Sequence, residues 1–180
     1  MDIMELEKVL IIMKFSNNQV KYILNYVNIP IQIQELYLKI NFLKELNLNN
    51  RIIRLVIEEN PKLLTTDLIK IKKLVNYIKT KVSSNEIPNI IECTPQILTI
   101  PIEQLINNEN LLTKYFSEER IKVIYRYRPS ILKLDNEYLN YKTNLIVKNG
   151  FEKNIFKIIM MHPEFFLKRN CDIEYLKKLF

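Results

Sequence analysis

This 180-residue chain predicts an all-α fold, a solenoid of about four to five 34-residue helical units. Three observations carry that expectation. First, Pro61, Pro95, Pro129 and Pro163 stand 34 residues apart, and self-similarity at a fixed period of this size marks a repeat architecture. Second, apolar positions keep phase with the prolines. Ile53, Ile87, Ile121 and Ile155 lie eight residues before them, and Val56, Ile90, Ile124 and Ile158 lie five before. The pairs Leu63/Leu64, Ile97/Leu98, Ile131/Leu132 and Phe165/Phe166 follow two and three residues after. Third, helix-capping residues recur around each proline in one order: helix, proline, apolar pair, cap, longer helix. The hand of the superhelix, right or left, stays open at this stage.

Residues 1–14 read as an N-terminal capping helix. "FSNNQVKYILNYVN" then places Val20, Ile23 and Leu24 in phase, with Asn28 where a proline would stand. Its spacing to Pro61 is 33, so this copy is degenerate. The helix before Pro61 begins near Asn50, and Asp67 opens the longer helix "DLIKIKKLVNYIKT". The helix before Pro95 starts near Ser84–Asn85, with Pro88 tolerated in its first turn; Thr99 and Pro101 open the next. In the following unit Ser117 is a good N-cap, and Glu118 and Glu119 sit in the first turn, where the helix dipole favours them. Ile121, Ile124 and Tyr125 form one apolar stripe, which favours a core role for Tyr125. Pro129 ends that helix because the residue before a proline is pushed out of the α region. Asp135 caps a helix whose buried side is Leu139, Leu145 and Ile146, and Gly150 closes it. Asp172 caps a final short helix. The units centre on Asn28, Pro61, Pro95, Pro129 and Pro163, and residues 1–180 are expected to form a single helical-repeat domain.

Composition excludes several classes. The chain has one glycine and no alanine, so the tetratricopeptide repeat, which needs small residues where its helices cross, does not fit. The two cysteines make no disulfide framework, and Cys93 is expected to be a small buried thiol. With a single histidine and no ligand spacing, no metal site is expected, and no cofactor. There is no glycine-rich phosphate loop and no nucleophile beside a base, so no catalytic residues are assigned and the chain is read as a non-enzyme. Asp2, Glu5 and Glu7 occupy the start, where a signal peptide would carry positive charge. The longest apolar run there, Val9–Met13, falls far short of the ~20 residues that cross a bilayer. No membrane association is expected, and the protein reads as intracellular and soluble, in an organelle matrix or the cytoplasm.

The stretches "NNRIIRLVIEENPKLLTTDLIKIKKLVNYI", "YFSEERIKVIYRYRPSILKLDNEYLNYKTNLIVKNG" and "GFEKNIFKIIMMHPEFFL" resemble the repeat of the mitochondrial transcription termination factor (mTERF) family. "KFSNNQVKYILNYVN" matches the opening of that repeat without its proline. The resemblance runs from residue 15 or so to the end. It implies units of two α-helices and a short third one, stacked into a curved superhelix. It also implies that a concave basic side binds nucleic acid in organellar transcription, translation or ribosome assembly.

The charge distribution is read independently of that likeness. The net charge is +7. Residues 111–180 hold fourteen basic and eight acidic side chains, so six of the seven excess charges lie there. Arg120, Lys122, Arg126, Arg128 and Lys133 are the densest cluster, with Lys122 and Arg126 four apart on one helix face. Lys153 and Lys157 repeat that pairing one unit later, and Lys168 and Arg169 follow the Phe pair. These nine are the candidate nucleic-acid-binding residues: a strip of phosphate contacts with tyrosines available for stacking. No basic residue recurs at one offset in every unit; the column of Arg126, for one, holds Glu58, Glu92 and Met160. A localised patch is therefore expected, and a uniform groove is not. Asn60, Thr94, Arg128 and His162 share the column before the proline, where a polar residue capping the first helix accounts for all four.

The expected function is contact with DNA or RNA through backbone phosphates, in transcription, translation or ribonucleoprotein regulation. The alternative is a protein-interaction scaffold on the same concave surface, with a protein or ribonucleoprotein partner.

Overall fold

The computed structural model describes residues 3–27 and 32–178, helices joined by turns and short irregular links, with no strand among them. Asn28, the expected centre of the first copy, lies outside the described residues. The chain divides into two compact units, residues 1–99 and 100–180.

The first unit contains α1 (Ile3–Ile12), α2 (Asn17–Tyr26), α3 (Ile33–Glu45), α4 (Asn50–Glu59), α5 (Leu68–Lys79) and α6 (Ile87–Cys93). Turns of 3₁₀ helix at Pro61–Leu64, Ser84–Glu86 and Pro95–Thr99 complete it. Caps set the boundaries. Ser16 and Gln19 form a reciprocal capping box at the start of α2, while Asn49 and Asp67 accept N–H bonds from Ile52 and Ile69 at the starts of α4 and α5. The helix α1 closes with Lys14 at φ 67 and α3 with Asn47 at φ 62, the left-handed position that commonly ends a helix.

The second unit contains α7 (Ile102–Leu112), α8 (Glu118–Tyr127), α9 (Pro129–Leu132), α10 (Asn136–Lys148), α11 (Ile155–Met161), α12 (Glu164–Leu167) and α13 (Ile173–Lys177), with a 3₁₀ turn at Glu152–Asn154. Asp135 and Asp172 cap α10 and α13 by accepting from the Tyr138 and Tyr175 N–H groups, and Gly150 ends α10 at φ 81. Ser117 occupies the N-cap of α8 by backbone conformation, but its hydroxyl makes no capping bond.

The 34-residue frame is written in the backbone as well as the side chains. Asn60, Thr94, Arg128 and His162 each end a helix at φ between −150 and −133, with ψ between 46 and 74. Each donates its N–H to the residue four earlier: Val56, Ile90, Ile124 and Ile158. The following proline forces this extended φ, and the short turn after it drops the apolar pair into the core. All sixteen residues of the four apolar columns are at most 3% exposed. Burial of such side chains at ~1.5–3 kcal/mol each is the main driving force for stacking.

Two expectations about burial need correction. Cys93 is exposed, because it sits on the last turn of α6 about 100° around the helix from the stripe of Ile87, Ile90 and Ile91. On α10, Leu145 is only half-buried, and Lys142 and Thr143 occupy the core face beside Leu139 and Ile146.

Candidate nucleic-acid interface

On α8 the buried stripe of Ile121, Ile124 and Tyr125 fixes where the cations go. Lys122 and Arg126, at i and i+4, fall on the other side of the helix, half-buried. Lys122 Nζ bonds Glu119 at 2.8 Å. That bond and the lysine's charge hold the Glu119 carboxyl below its ordinary pKa, and Arg126 adds to the effect. One carboxylate is thus set between the two cations and partly offsets them. Arg120 leaves the helix at the opposite edge, exposed, with its guanidinium 4.9 Å from the ring centre of Phe156 on α11. Phe156 in turn meets Phe116 edge-on at 5.5 Å. Lys153 and Lys157, in the 3₁₀ turn and on α11, are exposed. Because α8 packs against α11, these five cations lie on the first helices of two successive repeats or the turn leading into them, Arg120 on one edge of α8 and Lys122 and Arg126 on the other.

A second group lies at the turns. Half-buried Lys133 follows α9, and its carbonyl accepts from Gln104 Nε2 at 2.7 Å. Exposed Lys168 and Arg169 follow α12, which packs on α9. The Tyr138 hydroxyl donates to the Lys168 carbonyl at 3.5 Å. Burial raises its pKa, and the nearby Arg169 charge counters part of that rise.

Arg128 belongs to neither group. Its Nε and Nη2 donate to the Met160 carbonyl at 3.0 and 2.8 Å, and its Nη1 donates to the Tyr127 carbonyl at 3.0 Å. Asn60, in the same column, donates to the Pro95 carbonyl at 3.0 Å and accepts from Thr99 at 3.1 Å. Both side chains reach into the following repeat: Asn60 does so in place of the expected cap on its own helix, whereas Arg128 keeps one capping bond, to the last carbonyl of α8, beside its bonds across the seam. The chain leaves the helix at the extended φ that proline imposes, which aims the side chain across the seam. His162 differs again: its Nδ1 lies 3.4 Å from the Tyr175 hydroxyl and 3.5 Å from Glu164, where Tyr175 also donates to Glu164.

The mTERF family model matches residues 5–169. The chain belongs to the mTERF family. No curated protein matches it. The family comprises helical-repeat solenoids that generally bind nucleic acids, and the proline-centred units described above are this chain's copies of the mTERF repeat. Among the described residues, no helix is long and apolar enough to cross a membrane, and no group of three or more His, Cys, Asp or Glu residues is placed to hold a metal ion.

Between mTERF repeats lies a polar seam that sequence reasoning missed. Lys39 on α3 is 2% exposed and donates to the Leu64 carbonyl at 2.6 Å, with Glu35 at 2.9 Å. Fully buried Asn108 on α7 donates to the Leu132 and Leu134 carbonyls at 2.9 and 2.6 Å. Lys142 on α10 donates to the Cys171 carbonyl and lies 4.6 Å from the Phe165 ring centre. Burial lowers its pKa. In each case the second helix of one repeat satisfies carbonyls at the end of the proline turn of the next, or beyond it. A signal was present. Leu36-Lys39-Ile40-Leu43, Leu105-Asn108-Glu109-Leu112 and Leu139-Lys142-Thr143-Ile146 all follow i, i+3, i+4, i+7 spacing, with a polar residue inside the apolar stripe. A polar group at such a phase must find a buried partner.

Proposed function

We propose that this mTERF protein binds DNA or RNA through backbone phosphates, with the cations of residues 120–169 as its main contacts, in transcription, translation or ribonucleoprotein regulation. The observation that supports this most is that Arg120, Lys122, Arg126, Lys153 and Lys157 all lie on the first helices, or the turn leading into them, of two packed repeats. Lys133, Lys168 and Arg169 are offered as secondary contacts. Arg128 is left out, because three of its N–H groups already serve main-chain carbonyls. The chemistry is non-catalytic: lysine and arginine release counterions from a phosphate backbone without reading bases.

The test is fluorescence anisotropy of the purified protein with labelled duplex DNA, single-stranded DNA and RNA across a salt series. Five phosphate contacts predict a log–log slope of about −4.5 on duplex DNA. Absence of binding to all three at ~50 mM salt, where screening is weak, would refute the reading and leave the protein-scaffold alternative.

A further inference from the structure

In the first unit, α1, α3 and α4 leave a cleft of about 420 Å³, within the size range of sites that take a compact ligand or a few side chains. Its floor is aliphatic, made by Val9, Ile40 and Ile53. Ile12 and Tyr37 flank it while 76% and 50% exposed, so the apolar surface continues past the cleft mouth. Lys14, Lys44 and Arg54 stand around it, and no carboxylate lines it among the described residues.

The local fold presents these groups in a defined way. The last turn of α1 closes with the Lys14 N–H on the Ile11 carbonyl at 2.8 Å and the Phe15 N–H on the Leu10 carbonyl at 3.1 Å. This puts Lys14 at φ 67, where glycine is the ordinary residue and a β-carbon carries a conformational cost. Arg54 Nη1 lies 3.5 Å from the Met13 carbonyl, against the same turn.

We propose that this cleft docks an acidic segment of a partner protein, one that inserts a bulky apolar side chain over Ile12, Ile40 and Ile53 and sets Asp or Glu residues against Lys14, Lys44 and Arg54. The charge complementarity is one-sided, and an exposed apolar patch rimmed by cations marks an interaction surface. A phosphate alone would leave the aliphatic floor unused. A nucleic-acid strand held by its phosphates would likewise leave that floor unused, and Tyr37 is the one aromatic among these lining residues on which a base could stack. The partner reading is distinct from the phosphate contacts proposed for residues 120–169 and stands without them.

The experiment is selection of a random dodecamer phage library on the immobilised 180-residue protein, followed by fluorescence polarisation with the most enriched peptide. Enrichment of bulky apolar residues flanked by Asp and Glu is expected. The Ile12→Glu/Lys44→Glu variant should weaken that peptide by roughly tenfold or more, as loss of a central anchor does, while its thermal melt is retained. Ile12→Ser/Lys44→Ala, a milder pair, should show the same direction. No enrichment, enrichment of basic peptides, or binding that survives both variants would overturn the proposal. So would loss of labelled single-stranded DNA binding, in place of peptide binding, from the same variants.

Discussion

The guanidinium of Arg128 grips the carbonyl of Met160 with two N–H groups, at 3.0 and 2.8 Å, and so ties one first helix to the end of the next. An arginine inside the densest basic run of the chain is therefore part of the packing. Arg128→Ala is expected to destabilise the protein by about 1–3 kcal/mol, the cost of leaving carbonyls without a charged donor. Urea denaturation measures it. Nucleic-acid affinity of the folded variant should stay within about twofold, since the lost contacts are internal and a lost phosphate contact would also lower the salt slope by ~1.

Lys153 and Lys157 give the converse case. Both are exposed, so Lys153→Ala/Lys157→Ala should leave stability within about 0.5 kcal/mol. The same double variant should weaken nucleic-acid binding and reduce the log–log salt slope by about 2. An unchanged slope would remove these two lysines from the interface.

The buried ammonium of Lys142 ties stability to pH. Burial depresses its pKa in the folded chain, while the unfolded chain titrates at about 10.4. Between those values the unfolded state binds more protons, so stability rises with pH. Lys142→Met removes the group and should flatten this increment. Comparing urea midpoints of the two proteins from pH 8 to pH 10 reads the difference directly, and a parallel pair of curves would exclude the assignment.

Tyr175 acts with the opposite sign. Its hydroxyl donates to Glu164, and that bond, with burial and the carboxylate charge, pushes its pKa up to about 12. An acid whose folded pKa is raised adds stability below its unfolded value of about 10 and loses it as pH climbs through the folded value. Burial works against the Glu164 charge, but the Tyr175 hydrogen bond and the neighbouring His162 leave its pKa lowered overall, so the same contact also weakens as acid protonates Glu164. Tyr175→Phe should lose stability at neutral pH and show a smaller decline between pH 10 and pH 11 in the same denaturation assay.

The architecture was legible because its cause is local and repeated. Proline fixes a helix end wherever it stands, and Ile53, Ile87, Ile121 and Ile155 needed only their phase to be placed in the core. Tyr125 followed for the same reason, and it is fully buried with its hydroxyl on Glu109 at 3.0 Å. The candidate interface was less legible. Arg120, Arg128 and Lys153 look alike in a sequence, yet one stacks on Phe156, one grips a carbonyl of the next repeat and one faces solvent. What separates them is the backbone that follows each residue and the neighbour it meets, which a linear pattern of charge does not encode. Cys93 failed through a smaller angle: one residue off the stripe is enough to expose a side chain at a helix end.

Lys39, Asn60, Asn108, Arg128 and Lys142 each deliver a hydrogen bond to a main-chain oxygen of a neighbouring repeat. Every amino acid carries that oxygen, so the receiving repeat can change its side chains without breaking the joint. Mutations on the two sides of such a joint need not be matched. Units of this kind can diverge, duplicate or be exchanged one at a time, which frees their outward residues to be selected for a ligand while the stack itself persists.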